Sequence, residues 1–192
     1  PPRSTLFPYT TLFRSAYRET VAGVGQAEGR FIRQMGGRGQ YGVVTLRVEP
    51  HAPADGAPSL VVENAVKGGS IKREYADAAG AGALDAARSG MLAGYPIVNV
   101  KITVLDGQEH DVDSSELAFE NAGRLAFNAA LEKASPSLLE PIMRLSVVVP
   151  EECFGAVNTD LLGRRAVITG TSMRGVTHRV IEAEAQIGRA HV

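Results

Sequence analysis

The sequence predicts an α+β protein in two units, and three observations carry that reading. Runs rich in Val, Ile and Thr at 43–48, 60–66 and 96–105 alternate or persist as strands do. Two longer stretches, 72–88 and 114–133, are rich in Ala and carry apolar residues at helical spacing. After Pro141 a shorter set reads as strand, helix, strand, strand, the opening two-thirds of a split βαβ sandwich. Residues 16–140 thus read as βββαβα and residues 141–186 as β-α-β-β. Without a last helix and strand, the second sheet should leave apolar surface exposed, so the chain reads as a fragment.

Residues 1–15 repeat Thr-Leu-Phe, hold three prolines and show no periodicity, and 187–192 complete no element. Both read as a non-native leader and tail, to be kept out of fold reasoning. The first strand is expected over 30–34, then a glycine-rich stretch to Gly42, then a strand over 43–48. The prolines of 50–59 make a loop, and Gly68-Gly69 closes the strand over 60–66. The helix over 72–88 places Tyr75, Ala79 and Leu84 on its apolar side, with Gly80 and Gly82 weakening its middle. Gly90 and Gly94 end it, and Pro96 opens the strand that runs to Leu105.

Asp106-Gly107 is turn chemistry, since Gly tolerates positive φ and Asp bonds to nearby backbone. Asp113 or Ser114 can cap the next helix, with Glu116 bonding back to the cap. Its apolar face is expected at Leu117, Ala118, Ala122, Leu125, Ala126 and Ala129, and Ser135-Pro136-Ser137 breaks it. In the second unit strands are expected at 142–149, 166–169 and 177–183, with a helix from Pro150 to about residue 162 and a break at 173–175.

Composition narrows the function classes. With 192 residues and 44% hydrophobic content the chain can bury a real core. A net charge of −1 means that any nucleic-acid binding must come from local placement of Arg and Lys. A single cysteine, Cys153, excludes an internal disulfide framework and fits a reducing, cytoplasmic compartment. The four histidines show no metal-ligand spacing, and no apolar run reaches the length of a membrane span. No metal and no membrane are therefore expected.

Two loops carry chemistry. Gly37-Arg-Gly-Gln-Tyr-Gly42-Val-Val44 matches G-x-G-x-x-G-x-V, yet a strand follows where a dinucleotide site needs a helix N-terminus. A kinase glycine loop does lie between strands, but the kinase lysine, H-R-D and D-F-G motifs have no counterpart in this sequence. A phosphate-binding enzyme domain using this loop stays open as a competing class. The alternative is a tight hairpin tip, with Arg38 for a phosphate and Gln40 and Tyr41 for hydrogen bonding and stacking. The second loop leaves His110 between a strand and a helix, either as a solvated connector or as a binding residue on a rigid scaffold. No G-x-x-x-x-G-K-[ST] loop is present, so no catalytic residue and no GTP hydrolysis are expected in this chain.

Several blocks in order, taken together, resemble translation elongation factor G. They are Ala16-Tyr-Arg-Glu-Thr20, Glu28-Gly-Arg-Phe-Ile-Arg-Gln34, Gly36-Gly-Arg-Gly-Gln-Tyr-Gly42, Arg73-Glu-Tyr75, Leu92-Ala-Gly-Tyr-Pro96, His110-Asp-Val-Asp-Ser-Ser-Glu116 and Leu139-Glu-Pro-Ile-Met-Arg144. Departures stand at Lys72, where the family usually has proline, and at Gly163-Arg-Arg-Ala166, where it has Asn-Arg-Arg-Gly. The resemblance implies a ribosomal-protein-like βαβ domain with a left-handed crossover (the fourth domain), then a truncated ferredoxin-like fifth domain. It also implies a monomeric partner of the ribosome, meeting the small-subunit decoding centre, tRNA, mRNA and large-subunit rRNA, in a GTP-dependent translocase. GTP and Mg would belong to a G domain outside this chain, with no cofactor here. Carried over by residue, Arg38, Gln40, Tyr41, His110, Ser114 and Ser115 would meet the codon–anticodon duplex and its surroundings. Arg164, Arg165 and Arg174 would face ribosomal RNA or form a solvated face. A ribosome-recycling paralogue and a ribosome-protection factor share the same implication. The acidic residues Asp106, Glu109, Asp111 and Asp113 stand against simple Coulomb attraction to RNA, so Asp113 is expected to be spent on the helix cap.

Overall fold

The computed structural model describes residues 17–34 and 39–186. The expectations for residues 1–15, 187–192 and Arg38 fall outside them. The chain divides into two compact units at Leu139/Glu140.

In the first unit a four-stranded sheet has the order β2 (Gly25–Arg33), β3 (Gln40–Pro50), β5 (Val100–Gln108), β4 (Leu60–Asn64). Its pairs are antiparallel except β4 with β5, which run parallel. Parallel neighbours need a crossover, and helix α1 (Arg73–Ala86) supplies it. Helix α2 (Glu116–Lys133) lies on β2 and β3 and packs against α1. The period of two decides which face is covered. Val44, Leu46 and Val48 of β3 and Val100, Ile102 and Val104 of β5 are fully buried beneath the helices, with Phe119, Phe127 and Leu131. A two-stranded ribbon, β1 (Arg18–Val21) with β6 (Pro136–Leu139), is antiparallel.

Local sequence reading misses in several places here. Strand β2 begins at Gly25, earlier than the expected 30–34, and β5 begins at Val100 rather than at Pro96. The Ser135-Pro136-Ser137 break turns at once into β6, because Ser135 takes φ 53° and Pro136 then enters the edge ribbon. Asp106-Gly107 is no turn but the continuation of β5, paired with Thr45 and Val44 across a bulge. A Cβ at Gly107 would stand 2.7 Å from the Val43 carbonyl oxygen, so glycine serves a close strand approach. The helix cap is Ser115, whose Oγ accepts from Ala118 N at 3.2 Å, and Glu116 is already the first helical residue. The buried face of α2 is Ala118, Phe119, Ala122, Gly123, Ala126, Phe127, Ala130 and Leu131, while Leu117 and Leu125 are 54% and 46% exposed. Leu84 of α1 is likewise exposed, and Ala79, Gly80, Gly82 and Ala83 are buried instead. Ala118, Ala122 and Ala126 are buried as expected, but Leu117 and Leu125 lie outside the stripe. Small residues let the helices approach their neighbours and two phenylalanines fill the interior.

The second unit consists of β7 (Ile142–Pro150), a single 3-10 turn Glu151–Cys153, α3 (Phe154–Gly163), β8 (Val167–Arg174) and β9 (His178–Gln186). Its sheet is antiparallel in the order β7-β9-β8, the expected opening of a ferredoxin-like sandwich. The helix starts later than expected because Pro150 still belongs to β7 and the 3-10 turn intervenes. Likewise β8 runs on through Arg174, and the chain reverses at Gly175, whose φ is 72°. Its core is small: Val149, Leu161, Ala166, Ile181, Ala183 and Ala185.

Candidate nucleic-acid interface

At one end of the first unit, the start of β3 and the end of β5 meet the 109–115 loop that feeds α2. The contact between loop and strand is backbone-built. Tyr41 N donates to Asp113 O at 2.8 Å, and Tyr41 and Ser114 form a parallel bridge. Ser114 is 7% exposed, and its hydroxyl donates to Tyr41 O at 2.9 Å while accepting from His110 N at 2.8 Å. Ser114 N donates in turn to His110 O at 3.1 Å, and the Tyr75 hydroxyl donates to Ser114 O at 3.4 Å. Tyr75 stacks on Phe119 with centroids 4.7 Å apart, which ties the loop to the core through an aromatic pair.

His110 stands on this base with its side chain 57% exposed. Nδ1 lies 3.4 Å from Val112 N and 3.5 Å from Asp113 Oδ2, and the ring tilts against Tyr41 at a centroid distance of 6.0 Å. The Tyr41 hydroxyl donates to Gln108 Oε1 at 3.3 Å. The described part of the glycine stretch, 39–42, therefore neighbours the second loop, with His110 exposed beside it.

Most acidic residues near the tip accept hydrogen bonds from the chain itself, Asp106 while staying exposed. Asp106 accepts from Ser70 Oγ and from Gly107 N, and the Ser70 hydroxyl holds its carboxyl below the usual carboxylate range, helped by that N–H. Glu109 Oε2 accepts from Lys72 N at 3.0 Å, and Asp113 Oδ1 accepts from Gly39 N at 3.1 Å. Asp113 is thus not the helix cap; it holds the glycine loop. That role sits 74 positions away in sequence, and no local pattern could have signalled it. Asp111 remains exposed.

The remaining residues fall into three situations. Gln40 and Tyr41 are half-buried at the start of β3. Ser114 and Ser115 are occupied, one by the loop tie and the other by the cap. Arg164 pairs with Asp160 at 2.8 Å, and Arg165 sits exposed with φ 59° just before β8, whereas Arg174 ends that strand. β8 extends roughly 23 Å from Val167 to Arg174, so Arg174 stands at the far end of that strand from Arg164 and Arg165. Among the described residues no group of three or more His, Cys, Asp or Glu side chains could hold a metal ion. None of their helices is long and apolar enough to cross a membrane.

Residues 14–135 match the family Elongation factor G, domain IV, and residues 137–187 match Elongation factor G C-terminus. Among solved structures, a crystal structure of a Thermus thermophilus protein is similar at 40% sequence identity with a TM-score of 0.79. The match covers 92% of this chain and 26% of that one, so the chain spans about a quarter of that relative. The domain IV match alone spans more than half of the chain, and together with the C-terminal match it shows that the chain belongs to the elongation factor G family.

Proposed function

We propose that this chain is the non-catalytic, RNA-probing end of an elongation factor. In this reading its 39–41 and 108–115 tip enters the small-subunit decoding centre and follows tRNA and mRNA from the A site to the P site. GTP hydrolysis with Mg would be performed by a G domain in the longer protein. The observation that carries this reading is the exposed His110 imidazole, held at the end of a packed sheet-and-helix unit by backbone hydrogen bonds from two loops. A paired RNA in A form offers a wide, shallow minor groove lined by 2′-hydroxyls, and imidazole and amide groups can bond there by shape. The bonding of Asp106, Glu109 and Asp113 to Ser70, Lys72 and Gly39 supports the same reading, because those carboxylates serve the chain itself.

The test is His110→Ala in the full-length factor. Loss of one such hydrogen bond should slow translocation by about 3- to 10-fold. Stability should stay within about 0.5 kcal/mol, as for exposed substitutions generally. A translocation rate equal to the parent's would overturn the role. Arg165 and Arg174 are proposed to meet ribosomal RNA phosphates separately, each contributing about one unit to the salt dependence of ribosome binding. A salt slope unchanged in both Arg165→Ala and Arg174→Ala would remove that assignment.

A further inference from the structure

We propose that Asp113 is a positioning residue whose single carboxylate sets the spacing between the glycine loop and His110, making the tip one rigid reader. This rests on the reading of the tip as an RNA probe. One oxygen accepts the Gly39 N–H at 3.1 Å, and the other faces His110 Nδ1 at 3.5 Å. The two oxygens sit on one planar carboxyl group, so Gly39 N and the imidazole lie against the same rigid group. The side chain is 33% exposed, so water competes only partly for these contacts.

Gly39 fits the same account from the other side. A Cβ there would lie 2.9 Å from the Asp113 carboxyl carbon and 3.0 Å from Oδ1. The glycine is needed because the carboxylate approaches the backbone itself, quite apart from any turn. Ser114 cannot replace this link, since its hydroxyl ties Tyr41 O to His110 N and reaches neither Gly39 nor the ring. The loop therefore has two separate ties: Ser114 fixes the His110 backbone against β3, and Asp113 bonds Gly39 while its other oxygen lies against the imidazole. Recognition of a duplex groove by several groups at once needs fixed spacing among them, because misplacement of one group loses its bond without releasing the others.

Three variants test this. Asp113→Ala removes both contacts. Asp113→Asn keeps an acceptor for Gly39 N–H but loses the charge facing the ring. Gly39→Ala displaces the carboxylate while leaving Asp113 and His110 in the sequence. Amide exchange of Gly39 in the 192-residue chain should quicken by about tenfold in Asp113→Ala, the worth of one hydrogen bond to a charged acceptor, and by less in Asp113→Asn, which keeps a neutral acceptor. In the full-length factor, Asp113→Ala and Gly39→Ala should each slow translocation at saturating ribosomes about as much as His110→Ala. Ribosome affinity should stay unchanged. The Asp113→Ala, His110→Ala double variant should be no slower than the worse single variant within about twofold, because the two residues act as one unit.

Unchanged Gly39 exchange in a folded Asp113→Ala chain overturns the proposal, and so do slowdowns that multiply in the double variant. If His110→Ala itself leaves translocation at the parent rate, the tip's function fails, while the exchange experiment still decides whether Asp113 links the loops.

Discussion

Glu19 shows how one side chain can organise a loop that has no regular structure. It is 1% exposed, and its carboxylate accepts from Leu92 N, Ala93 N and Tyr95 N at 2.9, 2.8 and 3.2 Å. Burial pushes its carboxyl up, but the backbone N–H groups of Leu92, Ala93, Tyr95 and Met91 together hold it below the ordinary value of 4.5. A lowered folded-state value means that the stabilisation is complete above the unfolded-state value and is lost as pH falls through the folded one. Glu19→Ala should cost about 2 kcal/mol in chemical denaturation near neutral pH, because it strands buried donors. The gap between parent and variant should hold steady down to about pH 5 and shrink below it. A gap that instead widens on acidification would contradict this account. The block Leu92-Ala-Gly-Tyr-Pro96 was legible as family-like, but its carboxylate partner more than seventy positions earlier was not.

At the scale of elements, α1 and α2 pack through small residues. A Cβ at Gly123 would stand 2.1 Å from the Ala79 carbonyl oxygen, so the two helix backbones approach each other there with no room for a side chain. Gly123→Ala should therefore destabilise the fold by about 1–3 kcal/mol although alanine is the better helix former, since overpacking outweighs propensity. Thermal denaturation reads this directly, and a stabilised variant would show that the helices can part without cost. The same smallness explains why the apolar stripe of α2 was misplaced in part. Leu117 and Leu125 draw the eye, but the interior takes alanines and the two phenylalanines. The β3 strand was easier, because Val44, Leu46 and Val48 alternate with the partly exposed Thr45, Arg47 and Glu49.

In the whole molecule, each unit has its own core, and the two differ in quality. The first is closed by fully buried aromatic and branched residues, whereas the second rests on two large aliphatic side chains at 7–8% exposure plus Ile181 and three alanines. Ile142, Val148, Val167 and Met173 stay exposed on its strands. The second unit should accordingly open first: amides within 142–186 should exchange faster than those of β3 and β5, in a separate urea transition of lower midpoint. A single transition with uniform protection across both units would contradict this.

The order β2 to α2, the strand-helix-strand-strand run of the second unit and the buried face of β3 could be read from the chain alone, whereas the edge strands β1 and β6 could not. Hydrophobic period and turn residues act over a few neighbours, so they survive as pattern. Packing in three dimensions was needed to show that Asp113 holds Gly39, that Ser114 is spent inside and that Gly107 lies within a strand. Each of these depends on which distant backbone a side chain meets, and a hydrogen bond or a close approach leaves no periodic trace at either end.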